Sequence, residues 1–348
     1  MKRTNDQHIE HFEDAILLHG ESAVPLRFDV PKVSVKYDGS PAIVMGRDCD
    51  GKTFVSTKSY FNMSGSIEFY TAKSILDSPS LNSELKQILV TALQGIHLPD
   101  FTYGFAILGD VIHTPDSNAP MNVLSYDVGN NHDELVIVCH SVYNINMTDI
   151  TQMKQGQGVL DSLKSHNGVA LRCAETISAR DDMIIRKLPA LINKDRVEKY
   201  HDLFIEHRSL SEYSIYVSLR RYLNSIGNSK AASVSSFIRF HMDRVEDRIQ
   251  KLKKADIIEF RRDCLLEEYT WLRTLKVNGI LGDMFELRER LISLKMQDME
   301  HLYSYVNVRY PSTEMGNRPE GYVVRYKASD IIYKLVDREQ FSRLNRRG

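Results

Sequence analysis

Between Pro189 and Pro311 the chain contains no proline, and only Gly227, Gly279 and Gly282 interrupt the run. Proline inside a helix removes a donor and clashes with the preceding turn, and glycine weakens a helix. Segments such as VSSFIRFHMDRVEDRIQKLKKADIIEFRRDCLLEEYTWLRTL have heptad-like apolar spacing with charges of both signs between. That pattern predicts four or five helices packed as a module of their own.

The flanking residues have a different rhythm. VSVKYDGSPAIVM, starting near residue 32, alternates around a glycine. GRDCDGK then supplies turn residues and TFVSTKSYF resumes, which reads as strand, turn, strand. Residues 100–114, 123–128 and 135–144 read as further strands, and 66–95 as helical. An amphipathic helix is expected over 5–20, with Ile9, Phe12, Ile16 and Leu17 on one face and Gly20 as its stop. Strand character returns at PEGYVVRY and IIYKLVD, before a basic tail with Arg343, Arg346 and Arg347. The expected organisation is a β-rich platform in two parts, residues 1–188 and 311–348, with a helical insertion over 189–310. The fold class is α+β.

Composition narrows the function classes. Of 348 residues, 42% are hydrophobic and 26% charged, ordinary values for a globular chain. A net charge of -1 advertises neither nucleic acid nor an anionic membrane globally, so any basic surface must be local. No apolar run approaches the eighteen or so residues of a membrane span, and the charged start, MKRTNDQHIEHFED, is unlike a signal peptide. Cys49, Cys139, Cys173 and Cys264 lie far apart without a CxxC pair. That argues against a disulfide framework or a zinc knuckle and makes a reducing cytoplasm the expectation. The twelve histidines show no metal-ligand spacing, and His8 and His11 are expected on the surface.

Five short segments could support chemistry. Lys36-Tyr37-Asp38-Gly39 places an amine on a strand just before a glycine turn. A neutral lysine amine, made available by neighbouring cations or desolvation, can attack phosphorus and form a phosphoramidate; the bland reading is a surface lysine. Lys58, in Ser56-Thr57-Lys58-Ser59, could add a second cation or be an exposed strand residue. Asp110, after Leu108-Gly109, could meet ribose hydroxyls or a metal, or serve an ordinary turn. Glu320, opening Glu320-Gly321-Tyr322-Val323-Val324, could face a phosphate-bound Mg²⁺. Lys334, inside the apolar run Ile332–Val336, needs an anionic partner because leaving it unpaired is costly. That partner could be a phosphate or a carboxylate.

In this order the segments resemble nucleotidyltransferase motifs I, III, IV and V of the covalent ligase and capping-enzyme superfamily. KYDGS, STKS and EGYV are most similar to the phage RNA ligases that seal tRNA breaks. The two ends also resemble an uncharacterised family from tailed phages, through the HIEHFED-like helix, KxDGSPA, GDVIHTP and the KLVDRxxFSRxN ending. The resemblance implies an antiparallel-sheet adenylyltransferase domain with ATP and Mg²⁺ (or Mn²⁺) as cofactors, acting in a host cytoplasm if the chain is phage-encoded. It implies that Lys36 becomes adenylylated with Asp38 and Gly39 beside the nucleotide. Lys58 and Lys334 would lie on phosphate, Asp110 near the ribose or metal, and Glu320 near the metal. Asp110 stands where glutamate is usual, Ile332 where a first motif V lysine is frequent, and the nearest arginine after motif I is Arg47. Tyr126, His140 and Tyr143 are candidates for the adenine-stacking ring, or ordinary strand packing.

Only residues 335–348 come after Lys334, which favours an RNA-ligase-like architecture over one with a carboxyl-terminal OB-fold. The expected function is an ATP-dependent polynucleotide ligase, with RNA ends as the favoured acceptor and DNA ends as the alternative. A ligase-like binding module without chemistry is the reading from another class. The insertion carries 21 basic and 18 acidic residues between 190 and 310, with Arg244, Arg248, Lys251, Lys253 and Lys254 clustered. That cluster is either a phosphate contact or a solvated helix face.

Overall fold

The computed structural model describes residues 2–3, 9–64, 69–99, 102–115, 123–146, 149–153, 157–163, 166–178, 191–195, 197–198, 215–227, 232–251, 262–263, 266–267, 270, 273–274 and 279–345. The class is α+β, and most of its strand pairs are antiparallel. The chain forms two compact units. The first comprises Met1–His8, Ser34–Thr176 and Val306–Gly321, the second Ile9–Val33, Ile177–Tyr305 and Tyr322–Gly348. The sequence groups residues 311–348 with the amino-terminal platform. Contacts divide that stretch at Gly321, and Tyr322–Gly348 joins the unit that includes Ile177–Tyr305.

In the first unit a seven-stranded sheet has the order β1 (Lys2–Arg3), β7 (Asp149–Gln152), β6 (Leu135–Ile145), β5 (Phe105–His113), β3 (Ala42–Arg47), β4 (Thr53–Thr57), with β8 (Val169–Cys173) also pairing β6. β1–β7 and β6–β8 are parallel; the other pairs are antiparallel. Both faces of β3 are covered. Ile43 and Met45 join a core with Ile88, Leu89 and Ala92 of helix α4 (Ser83–Gly95), while Val44 joins Phe54, Phe61, Leu108 and Tyr143 opposite. Burial on both faces explains the unbroken apolar run AIVM.

Two expectations for this unit are corrected and one is refined. The helical pattern over 66–95 is two helices among the described residues: α3 (Ala72–Leu76) and α4 are separated by a loop containing Pro79. Asn82 caps α4, its Oδ1 accepting the Leu85 N–H at 2.8 Å, so the cap and the proline together break the helical run. Residues 123–128 are not a strand; Tyr126 makes one isolated bridge, to Ser312. There the Ser125 N–H turns to the Glu314 carboxylate (2.8 Å) and the Asp127 N–H to the Pro311 carbonyl (3.0 Å) instead of a ladder. Lys58 is not on a strand: β4 ends at Thr57, whose hydroxyl accepts the Tyr60 N–H, and Lys58 opens α2 (Lys58–Ser64).

A four-stranded sheet has the order β11 (Ile331–Val336), β10 (Gly321–Tyr326), β2 (Pro31–Lys36), β9 (Thr176–Ser178), and the chain passes from the second unit to the first within β2. The second unit otherwise holds α1 (Phe12–His19), α6 (Ile215–Ser225), α7 (Val234–Lys251), α8 (Ile280–Tyr305) and α9 (Arg338–Asn345), with α5 (Gln157–Asp161) the remaining helix of the first unit. Helix α1 is shorter than the expected 5–20, of which residues 5–8 lie outside the described set. Gly20 does stop it, at φ 58° with its N–H on the Ile16 carbonyl. Tyr222, Phe237 and Phe285 interlock α6, α7 and α8 through ring contacts of 5.7 and 6.0 Å.

Helix α1 buries two carboxylates. The Lys295 ammonium donates to both oxygens of Glu13 (2.9 and 3.0 Å), and Arg338 donates to Asp14 at 2.8 Å. His11, expected on the surface, is half-buried with Nδ1 out of water, and burial, reinforced by the Arg338 charge, holds its imidazole neutral. His8, Cys264, Lys253, Lys254, Arg346 and Arg347 lie outside the described residues. Among the described residues no helix is long and apolar enough to cross a membrane.

Candidate functional site

The site lies in the first unit, where β2 ends at Lys36. Extended backbone sends alternate side chains to opposite sides. Tyr37 turns inward: it is 4% exposed, its hydroxyl donates to Glu175 Oε2 at 2.6 Å, and its ring meets Tyr126 and Tyr310 edge-on at 5.6 and 6.4 Å. Glu175 Oε1 in turn accepts the Arg309 N–H at 2.9 Å. Lys36 and Asp38 are therefore presented on the other side, held by a buried aromatic cluster.

The Lys36 ammonium donates to Oε2 of Glu320 in an ion pair. Glu320 is buried, and the lysine side chain keeps 27% of its exposure, so the amine remains reachable. Asp38 is half-buried. Its Oδ2 accepts the Val123 N–H at 3.1 Å, and its own N–H donates to the Tyr126 hydroxyl oxygen. Burial raises the Asp38 carboxyl above its ordinary range, against the Lys36 charge and the Leu124 and Val123 amides, and the Asp110 charge adds to the rise. The Tyr126 phenol is likewise pushed well up, by burial first and then by the Asp38 and Glu320 charges.

Gly39 explains how Asp110 joins this group. A Cβ at position 39 would stand 2.4 Å from Cβ of Asp110 and 3.1 Å from the Val111 carbonyl oxygen, so only glycine lets the two chains approach this closely. The Ser40 N–H then donates to the Val111 carbonyl, and the Val111 N–H to the Pro41 carbonyl. Asp110 does not end its strand; β5 continues to His113. A bulge lies beside it, because Leu108 pairs with Ser141 while Gly109 pairs with Cys139, leaving His140 as the extra residue. The bulge brings His140 Nε2 to 3.3 Å from Asp110 Oδ2 and His140 Nδ1 to 2.9 Å from the Ser141 hydroxyl.

Lys36, Asp38, Gly39, Asp110 and Glu320 thus belong to one neighbourhood of the first unit. Lys58 is exposed at the start of α2. Lys334 is in the second unit, on β11, half-buried, with its backbone N–H on the Glu10 carbonyl at 3.0 Å. Of the stacking candidates, Tyr143 is buried against Phe61 (5.4 Å, 70°) and Tyr126 is engaged with Asp38, so neither offers a free face. His140 is exposed. The Asp110–His140 pair was not foreseeable as a pair: the bulge that forms it leaves no local signal in the sequence. Glu175, the anchor of Tyr37, was equally hidden in an unremarkable loop.

The arrangement sets one ammonium among three carboxylates. Hard cations prefer oxygen ligands, and Mg²⁺ is usually held by one or two carboxylates together with substrate phosphates. Glu320 and Asp110 supply the oxygen chemistry of that limited role, each at present paired with a side chain, Lys36 and His140. Among the described residues no group of three or more His, Cys, Asp or Glu side chains is placed to hold a metal ion without such help.

No curated protein and no solved structure matches the chain. Comparison with protein-family models matches residues 5–347, nearly the whole length, so the chain belongs to a family of unknown function (DUF6267).

Proposed function

We propose that this chain is an ATP-dependent polynucleotide ligase that works through a lysyl-AMP intermediate at Lys36, with RNA ends as its favoured acceptor. The supporting observation is the Lys36–Glu320 ion pair. Motif I and motif IV of the resemblance lie 284 residues apart, yet their two reactive side chains touch. The adenylyltransferase fold, ATP and Mg²⁺ belong to the same proposal.

In the ion pair the amine is a protonated donor, and attack needs it neutral. The proton passes to Glu320 or solvent as the nucleotide enters. The Lys36 Nζ lone pair then attacks the α-phosphorus of ATP; an N–P bond forms, the bond to the β-phosphate oxygen breaks, and pyrophosphate leaves. A 5′-phosphate oxygen next attacks the same phosphorus, the N–P bond breaks, and Lys36 regains its proton. A 3′-hydroxyl finally attacks the adenylylated end, loses its proton to solvent and releases AMP. Bound Mg²⁺ would neutralise charge on the phosphoryl oxygens. Asp38 accepts the Val123 N–H and so steadies the turn that follows Lys36. Asp110, paired with His140, would meet the ribose hydroxyls, as the resemblance implies. The resemblance alone gives Lys334, a residue of the second unit, the motif V role on the α-phosphate.

The test is incubation with α-labelled ATP and Mg²⁺ or Mn²⁺. Wild type should keep covalent label that Lys36→Ala loses, and Lys334→Ala should reduce it steeply. Absence of label on wild type between about pH 6 and 9, where a lysine amine can be made available, would leave a binding module without chemistry. Matched RNA and DNA ends identify the acceptor.

A further inference from the structure

Residues 26–30, Leu-Arg-Phe-Asp-Val, precede β2 in the second unit. Leu26 is 60% exposed, Phe28 88% and Val30 47%. Single exposed apolar residues are ordinary. Three within five residues, one of them a phenyl ring almost wholly in water, are the kind of exposure that marks a contact surface.

The segment is firmly held. Asp29 is buried, and its Oδ2 accepts the Ser329 N–H at 2.7 Å and the Ser329 hydroxyl at 2.6 Å. Although burial pushes the other way, these bonds and those from the Ala328 and Lys327 amides keep the Asp29 carboxyl below its ordinary range. The Asp29 N–H closes a turn on the Leu26 carbonyl at 3.0 Å. With Asp29 gripped by the β10–β11 turn, the residues on either side of it are turned outward. The Arg27 guanidinium stands 6.0 Å from the centre of the Phe28 ring. Lys327, in the gripped turn, is exposed, and Lys32 on β2 is half-exposed; Asp330 is the exposed acid of that turn.

We propose that this segment docks a single-stranded polynucleotide, a base stacking on Phe28 while Arg27 and Lys327 meet the flanking phosphates. An exposed aromatic ring with a guanidinium beside it is what sequence-tolerant single-strand binding uses. Three cations, Arg27, Lys32 and Lys327, outnumber the acids Asp29 and Asp330, which matches a polyanion. The choice of a polynucleotide over another polyanion rests on the flat aromatic face and, in part, on the ligase reading.

The experiment is fluorescence anisotropy of the full chain with 5′-labelled rU12 and dT12, without ATP, over a salt series. Wild type should bind. Phe28→Ala should weaken binding roughly tenfold and Phe28→Trp should restore it, since any flat ring can stack. Arg27→Ala should flatten the log–log salt slope by about 0.7. Both side chains are exposed, so thermal melts of all three variants should match wild type. Unchanged binding by Phe28→Ala, no binding by wild type, or a Phe28-dependent shift in oligomeric state without an effect on the oligonucleotide each overturns the proposal. Lysyl-AMP formation is read separately. Oligonucleotide binding through Phe28 without label would sink the ligase reading alone, and label with Phe28-independent binding would sink this one alone.

Discussion

The ammonium of Lys36 is bonded to the carboxylate of Glu320, a residue 284 positions further along the chain. The pair joins the end of β2 to the entry of β10, and any chemistry at Lys36 starts from this contact. Glu320→Gln keeps the shape and removes the charge. It should lower lysyl-AMP formation by about 10²–10³-fold, the usual loss on removing one electrostatic partner of a transition state. Label retained at the wild-type rate would show that Glu320 is only a structural counter-ion.

Gly39 is a packing requirement that can be measured without any substrate. Gly39→Ala would drive a methyl group to 2.4 Å from Asp110 Cβ. Relieving that overlap should cost about 1–3 kcal/mol of stability, read as a lower denaturant midpoint. Label should fall with it, because the same shift moves Asp110 away from Asp38. A Gly39→Ala chain as stable as wild type would refute the close approach.

Asp38 makes an opposite prediction for stability. Its carboxyl is raised in the folded chain above the ordinary 3.8. Such a group contributes stability below its unfolded value and loses it as pH rises through the folded value. At neutral pH the charged, half-buried Asp38 is therefore a liability. Asp38→Asn, which can still accept the Val123 N–H, should melt at or above the wild-type temperature at pH 7, and the difference should shrink toward acid pH. A lower melting temperature at pH 7 would count against the raised carboxyl.

The buried pair in the second unit has the reverse sign. Burial alone would raise the Glu13 carboxyl, but the Lys295 and Arg338 charges overcome it and hold it below the ordinary 4.5. Its contribution is present above that value and is lost as pH falls toward the lowered one. Lys295→Met leaves a charge in the core and should cost about 3–5 kcal/mol in chemical denaturation. Adding Glu13→Leu should return most of it, since a buried pair is worth little more than well-packed apolar side chains. Failure of the second change to rescue would mean that Lys295 acts through some other partner.

Local signals in the sequence were sufficient for the α+β class, for the helices among the described residues between Pro189 and Pro311 and for the Gly20 stop, because proline, glycine and apolar period act on neighbouring residues. They also singled out Lys36 and Glu320 separately. They failed where competition was not local. Residues 123–128 have strand composition, but Asp38, Glu314 and Pro311 take their amides. Lys58 has strand flanks, but the Thr57 hydroxyl starts a helix there. The Asp110–His140 pair depends on a one-residue slip between β5 and β6, and nothing within either strand records it. Residue types and spacing alone thus determined which amine and carboxylates were candidates for chemistry. Only the tertiary structure decided which of them meet, because an ion pair across 284 residues and a glycine pressed against another strand are properties of packing, fixed by burial energy summed over the whole unit.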